Sequence, residues 1–402
     1  MERLIFHVDV NSAYLSWESV RRVKNGLSDL RLVPAIIGGE PQSRISVVLT
    51  KSIPAKKYGI ITGEPVSSAV RKCPGLLIEK PDFRLYVECS RAFKDICRQY
   101  APLVEEFSID ECFLDMTGTS RIYPDPIATA KEIKDRIRDT LGFTVNVGVA
   151  SNKLLAKMAS DFEKPDKVHT LFLPEIPEKM WPLPVGDLFL CGKASADRLQ
   201  KEGICTIGDL AHAEPGYVQK LLGQKTGNLL YRYANGIDDS PVSAQPDAPK
   251  GYSNERTFEE DVIGYEMADR VLLFLADKVA GRIRKDRVKA SCISVTVRGN
   301  DRKKHSHQKM LEQATDITNE VYKTATVLIR ELWDGNKPLR LIGLSLTGLD
   351  DGSYRQFSLM DQDEKRLREQ QADKVMDDLR SRFGRDIVKR GSLLDHDIRE
   401  IR

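Results

Sequence analysis

Glu105–Gly118, EEFSIDECFLDMTG, is the stretch that best indicates the fold, because two adjacent carboxylates separate two apolar β segments there. Asp110 and Glu111 interrupt the apolar pattern, and Asp9 does the same in a first strand over residues 3–10. A carboxylate in an apolar strand is costly to bury unless it is paired or bound to a cation. If the strands are neighbours, three carboxylates converge, and a hard divalent cation would relieve their repulsion.

These carboxylates also have a plainer interpretation. Asp9 can begin a helix cap, and Asp110 with Glu111 can occupy a solvated turn. Spacing alone does not separate this interpretation from a metal site.

Around this stretch, β and helical patterns alternate. The periodicity predicts strands at 3–10, 45–49, twice within 103–116 and at 143–150, and helices at 12–24, near 67, 84–101, 125–141 and 152–163. The order strand, helix, strand, strand, helix, strand is typical of a split βαβ sheet. We therefore expect a ferredoxin-like α+β core.

Beyond Pro165 the chain changes character. Helical fragments extend to about residue 236, and the polar, proline-rich segment 239–250 (DSPVSAQPDAPK) predicts an exposed tether. A second, independent α/β unit follows, with strands at its start, at 290–298 and at 339–346, and helices at 266–285 and 316–332. The polar tail 351–402 carries one predicted helix, 364–383.

The composition limits the possible classes of protein. A chain of 402 residues exceeds the roughly 250 residues of one large domain, so several domains are expected. The sequence contains no run of about 18 apolar residues, which predicts no membrane span, and the start MERLIFHVDVNS reads as a buried strand. Seven cysteines without a C-x-x-C pair argue against a zinc site or a disulfide framework. We expect a cytoplasmic protein.

Positive charge is concentrated in one segment. The formal net charge of the chain is only +3, yet residues 278–309 hold eleven basic and two acidic residues, a local charge of +9. A solvated charged face is the usual meaning of such a run, but this one predicts contact with a nucleic-acid backbone. Its basic residues are Lys278, Arg282, Arg284, Lys285, Arg287, Lys289, Arg298, Arg302, Lys303, Lys304 and Lys309.

Four strings carry a family resemblance. VDVNSAYLSWE (8–18), TKSIPAKKYGI (50–60), SIDECFLD (108–115) and VGVASNKLLAKMASDFEKPD (147–166) resemble, in order and spacing, the active-site motifs of Y-family (translesion) DNA polymerases. The likeness extends over nearly the whole chain and is closest to the DNA polymerase IV-like and UmuC-like bacterial branch. It implies a right-hand polymerase with a ferredoxin-like palm, small fingers, a helical thumb and a separate α/β little finger.

The resemblance implies a role for each matching residue. Asp9, Asp110, Glu111 and the Val10 carbonyl would hold two Mg²⁺ ions, and Tyr14 would be the steric gate against ribose. Without the motif, Tyr14 reads as a core aromatic on an amphipathic helix.

The nucleotide side of the site is less complete. Lys164 matches the lysine of the family that neutralises the triphosphate, although it can also be an exposed helix-end lysine. Ile53 and Lys56 replace the Tyr and Arg commonest in the family, and Lys56 lacks the planar fork of arginine. We therefore expect Lys56 to bind nucleotide weakly, with Lys51, Ser52 or Lys57 as possible substitutes.

Further likenesses imply partners. Residues 185–210 resemble a helix-hairpin-helix, with Gly192 as its second glycine and Leu190 in place of the first, so an ordinary helical core is nearly as good an interpretation. Residues 250–350 resemble the little finger, with DNA contacts expected at Arg282, Arg284, Lys289, Arg298 and Lys303. Gln356, Leu359 and Met360 resemble a peptide that binds the sliding clamp (beta subunit).

The implied domains are a palm (1–12 and 82–169), fingers (13–81), a thumb (170–238), a linker (239–249), a little finger (250–350) and a tail (351–402). The leading hypothesis is a monomeric bacterial DNA polymerase, associated with the nucleoid, that adds dNTPs to a primer–template during translesion synthesis and DNA repair. Two alternatives remain: a polymerase-shaped DNA-binding scaffold with weak or no catalysis, and another two-metal enzyme such as a nucleotide cyclase or nuclease.

Overall fold

The computed structural model describes residues 3–245, 247–350, 364–384 and 387–393. The chain divides into two compact units, residues 1–246 and 247–402. Among the residues described, every helix is too short or too polar to cross a lipid bilayer.

The first unit mixes strands and helices. Its strands are β1 (Ile5–Val10), β2 (Ala35–Ile37), β3 (Thr50–Lys51), β4 (Leu77–Glu79), β5 (Leu103–Glu106), β6 (Glu111–Asp115), β7 (Val145–Ala150) and β8 (Val168–Thr170). Its helices are α1 (Ala13–Lys24), α2 (Ile53–Lys56), α3 (Val66–Lys72), α4 (Phe83–Cys97), α5 (Pro126–Leu141), α6 (Lys153–Asp161), α7 (Ile176–Lys179), α8 (Lys193–Lys201), α9 (Ile207–His212), α10 (Pro215–Leu222) and α11 (Gln224–Ala234).

A five-stranded sheet organises this unit, in the order β5-β6-β1-β7-β8. The central strand β1 is buried along its whole length and pairs antiparallel with both β6 and β7. Helices α4 and α5 cover one face, and α6 covers the other. Helix α6 approaches closely at Gly148, where an added Cβ would lie 2.0 Å from the Ala156 carbonyl oxygen. The sheet thus holds the carboxylate-bearing strands rigidly at its centre.

The segment between α1 and α4 forms a small three-stranded sheet in the order β3-β2-β4. The strand predicted at 45–49 is wrong: Val47 makes only an isolated bridge to Pro65, and the strand begins at Thr50. Strands β2 and β4 and helix α2 were not predicted. Each has three or four residues, and such short elements form through contacts with distant segments.

The tether prediction is only partly correct. Val242 is 4% exposed and packs into the core of the first unit. The backbone N–H of Ser243 donates to Glu105 Oε2 at 2.9 Å, and Arg3 donates to the Ser240 carbonyl at 2.7 Å. The chain is therefore fixed to the first unit as far as Ser243.

The second unit has an antiparallel four-stranded sheet in the order β11-β10-β12-β9, with two helices packed on one face. Its elements are β9 (Gly251–Val262), α12 (Tyr265–Lys285), β10 (Lys289–Gly299), β11 (Lys304–Thr315), α13 (Thr318–Leu332), β12 (Leu339–Asp350) and α14 (Glu364–Phe383). Strand β11 was not predicted, because this edge strand is exposed along most of its length and lacks an apolar alternation.

Helix α14 has the predicted bounds but an unusual docking face. A polar stripe at helical spacing faces the unit: Arg366, Gln370, Asp373, Asp377 and Arg380. Apolar Val375 and Phe383 are 58% and 67% exposed. Ion pairs and hydrogen bonds, rather than apolar burial, therefore hold α14 in place.

Candidate active site

The strand register brings Asp9 and Glu111 together. They are direct partners across the antiparallel pair of β1 and β6. The Val10 N–H donates to the Asp110 carbonyl at 3.0 Å, which ties the turn before β6 to the end of β1. Asp9 is 8% exposed and lies within the strand, while Ser12 stands at the helix N-cap position. The helix-cap interpretation of Asp9 is therefore wrong.

Asp110 is presented by a tight turn between β5 and β6. The N–H groups of Phe107 and Ser108 both donate to the Glu111 carbonyl at 3.2 Å. The Ser108 hydroxyl donates to Asp110 Oδ1 at 2.6 Å. These bonds fix the turn, and the Asp110 side chain lines the same cleft as Asp9.

Two lysines from α6 and the segment after it neutralise the carboxylates. Lys164 Nζ contacts Asp9 Oδ2, and Lys157 Nζ lies 2.6 Å from Glu111 Oε2. Asp161 connects the two lysines, at 2.8 Å from Lys164 Nζ and 3.4 Å from Lys157 Nζ. The result is a chain of alternating charges across the site.

His7 lies behind Glu111. It is fully buried; Nε2 is 3.0 Å from Glu111 Oε2, and Nδ1 is 2.8 Å from the Ser160 hydroxyl. Burial lowers the pKa of His7, which favours the neutral ring. The His7 Nδ1 donates to Ser160, whose own hydroxyl donates to the Lys157 carbonyl at 2.8 Å, so Nε2 carries a proton toward Glu111 only when the ring is charged.

Burial and charge shift the carboxylate pKa values in opposite directions. Burial raises the pKa of Asp9, and Lys164 and Lys157 oppose the rise without cancelling it. Burial also acts to raise the pKa of Glu111, but hydrogen bonding to His7 and Lys157 outweighs it and holds the pKa at about 2. Glu111 is therefore ionised at neutral pH, whereas burial makes ionisation of Asp9 less favourable.

A cleft of about 290 Å³ opens in front of Asp9 and Asp110, and Glu111 does not line it. Its lining residues are Asp9, Val10, Ser12, Ala13, Tyr14, Leu49, Thr50, Asp110 and Lys164. The Tyr14 ring stacks on Tyr86 at 4.5 Å between centroids, and burial and the Asp110 charge raise the pKa of Tyr14. Tyr86 is fully buried and donates to Glu18 at 3.1 Å. Tyr14 is therefore a cleft residue with a rigid backing.

The site suits a hard divalent cation by its chemistry. Asp9, Asp110 and Glu111 offer only oxygen ligands, as Mg²⁺ prefers. Within the described residues, no three His, Cys, Asp or Glu side chains are already arranged around one metal position. Ammonium groups lie against Asp9 and Glu111 instead, which shows that these two carboxylates attract cations. The donor set fits, provided that Lys164 releases Asp9.

The residues predicted for the triphosphate side are not all brought together. Lys164 lines the cleft, whereas Lys56 and Ile53 are exposed on α2 outside its lining. Ser52 is no substitute, because its buried hydroxyl donates to the Val33 carbonyl and accepts from the Ala35 and Ala55 N–H groups.

Sequence reasoning missed several residues of this site, namely His7, Leu49, Thr50, Lys157 and Asp161. Lys157 and Asp161 had a detectable signal, because both fall in the quoted run 147–166 at helical spacing from Lys164.

The helix-hairpin-helix segment has an unexpected turn. Leu190, which stands where the family has glycine, adopts a left-handed φ of 65° and is 57% exposed. Gly192 has an ordinary φ of −68° with open space where a Cβ would be. Leu190 therefore adopts a backbone conformation that usually favours glycine.

The basic residues of the second unit lie on different surfaces. Arg298 follows buried Val297 on β10 and projects from the sheet face opposite α12. Lys303 is exposed in the turn before β11, and Lys289 begins β10. Arg282, on α12, lies over the ring of Tyr252.

The structure does not support the DNA contact that we expected at Arg284. Its side chain is 5% exposed and binds Asp377 at 2.6 Å, Asp373 at 3.2 Å and the Asp316 carbonyl at 2.7 Å. Carboxylates of the tail helix α14 already bind this guanidinium, so it cannot also bind a DNA phosphate. Gln356, Leu359 and Met360 lie outside the described residues.

Family models match most of the chain. Residues 8–161 match the impB/mucB/samB family, and residues 249–359 match the C-terminal domain of that family. Residues 187–238 match a model described as the thumb domain of DNA polymerase iota.

Curated relatives are similar over the full length. A DNA polymerase IV of Clostridium acetobutylicum is 43% identical over 98% of this chain and 99% of its own length. A DNA polymerase IV of Acetivibrio thermocellus is 34% identical, covering 98% of both chains. DNA polymerase IV 1 of Bacillus subtilis is 35% identical over 98% of this chain and 93% of its own length.

A solved structure of a chimeric Y-family DNA polymerase has the same fold. It aligns with a TM-score of 0.74 at 23% identity, covering 86% of this chain and 99% of its own. This likeness confirms the predicted α+β, right-hand fold class.

Proposed function

The chain belongs to the impB/mucB/samB family of Y-family DNA polymerases, and from that premise we propose that Asp9, Asp110 and Glu111 form its catalytic centre. It is a DNA-directed DNA polymerase of the translesion type, as its full-length similarity to DNA polymerase IV supports. The observation that carries the assignment is the cross-strand pairing of Asp9 with Glu111 beside the Asp110 turn.

In our proposal, the three carboxylates and the Val10 carbonyl hold two Mg²⁺ ions. When bound, such ions would lower the pKa of the primer 3′-hydroxyl and stabilise the leaving pyrophosphate. Glu111 is kept ionised by Lys157, and buried His7 lies behind it. Strand β1, buried along its whole length, holds Asp9 at the wall of the cleft.

Lys164 would have two positions. With no cation present it neutralises Asp9, and its side chain is 37% exposed toward the cleft. A cation at Asp9 would release this ammonium group toward the β and γ phosphates of the incoming nucleotide. Lys56, exposed on α2, would supply a weaker second contact.

Tyr14 would select deoxyribose by shape. Stacking on buried Tyr86 fixes the ring at the cleft wall, where a ribose 2′-hydroxyl would collide with it. Phe83 packs edge-on at 6.1 Å and limits any retreat of the ring.

DNA contacts are proposed in both units. Arg282, Lys289, Arg298 and Lys303 would contact the DNA backbone through charge. The N–H of Gly192, which donates to the Leu190 carbonyl at 3.1 Å here, would turn to a phosphate. We keep the division into palm, fingers, thumb, linker, little finger and tail as a proposal, with the fixed segment up to Ser243 shortening the linker.

The tail adds a proposed partner. Gln356, Leu359 and Met360 match the pattern of a clamp-binding peptide, a glutamine followed by apolar anchors. We propose that this segment recruits the polymerase, as a monomer, to the sliding clamp at the bacterial nucleoid.

Primer extension tests the proposed function. Purified protein, MgCl₂, dNTPs and a 5′-labelled primer–template, with and without an abasic site, should give template-directed synthesis and bypass. Absence of synthesis, with DNA binding intact, would favour the scaffold alternative. Degradation of the duplex, or a cyclic product without template, would favour another two-metal enzyme.

A further inference from the structure

Lys94 is a buried lysine beneath the turn that carries Asp110. It lies on α4, its side chain is 3% exposed, and its Nζ donates to the Ser108 carbonyl at 2.6 Å. The same Nζ lies 3.1 Å from Glu106 Oε2. Burying an ammonium group is unfavourable unless it is paired and hydrogen-bonded. Here one partner is an acid and the other is a backbone oxygen of the catalytic turn.

A short chain of hydrogen bonds connects Lys94 to the active site. Lys94 holds the carbonyl of Ser108, and the hydroxyl of Ser108 donates to Asp110 Oδ1 at 2.6 Å. On the other side, the Val10 N–H holds the Asp110 carbonyl. The Asp110 side chain therefore depends on Ser108, whose backbone depends on Lys94.

We propose that Lys94 is a positioning residue that fixes the turn 107–110 so that the Asp110 carboxylate is held toward the divalent cation. The inference rests on the proposed function of Asp110 as a metal ligand. Without Lys94, the Ser108 carbonyl loses its buried donor and the turn relaxes. Residues that orient metal ligands typically contribute on the order of tenfold or more to metal affinity.

Arg98 provides a matched control. It also pairs with Glu106, at 2.5 Å, and lies one helical turn beyond Lys94 near the end of α4. Its side chain is 42% exposed, and among the described residues it also pairs with Asp95. Removing Arg98 therefore disturbs Glu106 while leaving the Lys94 contact to the turn in place.

The test compares Lys94→Met, Lys94→Arg and Arg98→Met in the full chain. Each variant is bound to a dideoxy-terminated primer–template with the next dNTP, and Mn²⁺ binding is measured by electron paramagnetic resonance of the free ion. We expect Lys94→Met to weaken Mn²⁺ binding on the order of tenfold, Lys94→Arg to recover most of it, and Arg98→Met to match the wild type. Thermal unfolding without metal reports any purely structural loss.

The outcomes are separable. Wild-type Mn²⁺ affinity in folded Lys94→Met overturns the positioning role, even if its unfolding temperature falls. If Lys94→Met does not fold, Ser108→Ala removes the next hydrogen bond in the chain and should weaken Mn²⁺ binding similarly; unchanged binding there also overturns the role. Wild-type protein that neither binds Mn²⁺ nor extends a primer overturns the proposed function itself.

Discussion

Asp9 and Glu111 face each other across the antiparallel pair of β1 and β6, and each carboxylate is neutralised by a different lysine. Asp161 bridges these lysines, so the site is a connected set of charges rather than two isolated pairs. In such a set, a divalent cation competes with ammonium groups that are already present. Metal binding and the position of Lys164 should therefore be coupled.

Lys164→Met tests this coupling. The variant should raise the KM for dNTP about tenfold, because a charge-assisted contact to phosphate is lost. It should also unfold at a lower temperature without metal, since Asp9 loses its partner, and Mg²⁺ should restore part of that loss. Steady-state kinetics and thermal unfolding with and without MgCl₂ measure both effects. Lys167→Met, 49% exposed and paired with Glu163, is the control that should change neither.

Tyr14, stacked on Tyr86, is proposed to exclude ribonucleotides from the cleft. Tyr14→Ala should raise incorporation of ribonucleotides relative to deoxyribonucleotides by about 100-fold, because shape exclusion is removed. Tyr14→Phe keeps the ring and should discriminate like the wild type. Single-nucleotide insertion with dNTP and rNTP gives the ratio. An unchanged preference in Tyr14→Ala would remove the gate role.

We expect some basic residues of the second unit to contact DNA and others to stabilise the fold. Lys303→Gln should weaken DNA binding uniformly and reduce the slope of log K against log salt by about 1, as expected for one lost phosphate contact. Fluorescence anisotropy between low and moderate salt measures this slope. An unchanged slope would mean that Lys303 does not contact DNA.

Arg284→Gln should act on stability instead. It breaks a buried network with Asp373 and Asp377, and Asp373 also accepts the Thr318 N–H at the start of α13. Removing one member of a buried ion pair typically costs about 3 to 5 kcal/mol. Chemical denaturation should show this loss while the salt slope stays near that of the wild type. A normal stability with a reduced slope would restore Arg284 as a DNA ligand.

Gln356→Ala with Leu359→Ala tests the clamp prediction. The double variant should lose stimulation of primer extension by the sliding clamp and keep its basal synthesis, since both residues lie outside the polymerase site. Extension with and without loaded clamp measures the difference. Equal stimulation in the variant would show that another surface binds the clamp.

Motifs in the sequence located the carboxylate-bearing strands β1 and β6 well. The apolar segments around Asp9 and the Asp110–Glu111 pair predicted strands and adjacent carboxylates, and α14 has the bounds that its periodicity predicts. These features are local, because strand alternation and helix periodicity are written in consecutive residues. Short elements such as β2 are different, since their three residues become a strand only through β3 and β4.

The run 278–309 does not show which of its basic side chains are paired within the protein and which face solvent. Arg284 looks like its neighbours Arg282 and Lys285 in sequence, but the tail helix places Asp373 and Asp377 against it. Lys94 and Lys157 lie on helices, and their partners Ser108 and Glu111 lie in or beside the strands of the sheet. Which lysine is paired internally and which remains for a ligand is decided by tertiary contacts.

The most direct test of the catalytic assignment is single-turnover primer extension by Asp110→Ala at saturating Mg²⁺, with DNA binding measured in parallel. If Asp110 is a metal ligand, extension should fall on the order of 1000-fold while affinity for the primer–template stays within about threefold of the wild type, as expected for a residue outside the phosphate contacts. Extension at the wild-type rate would contradict the assignment of Asp9, Asp110 and Glu111 as the catalytic centre.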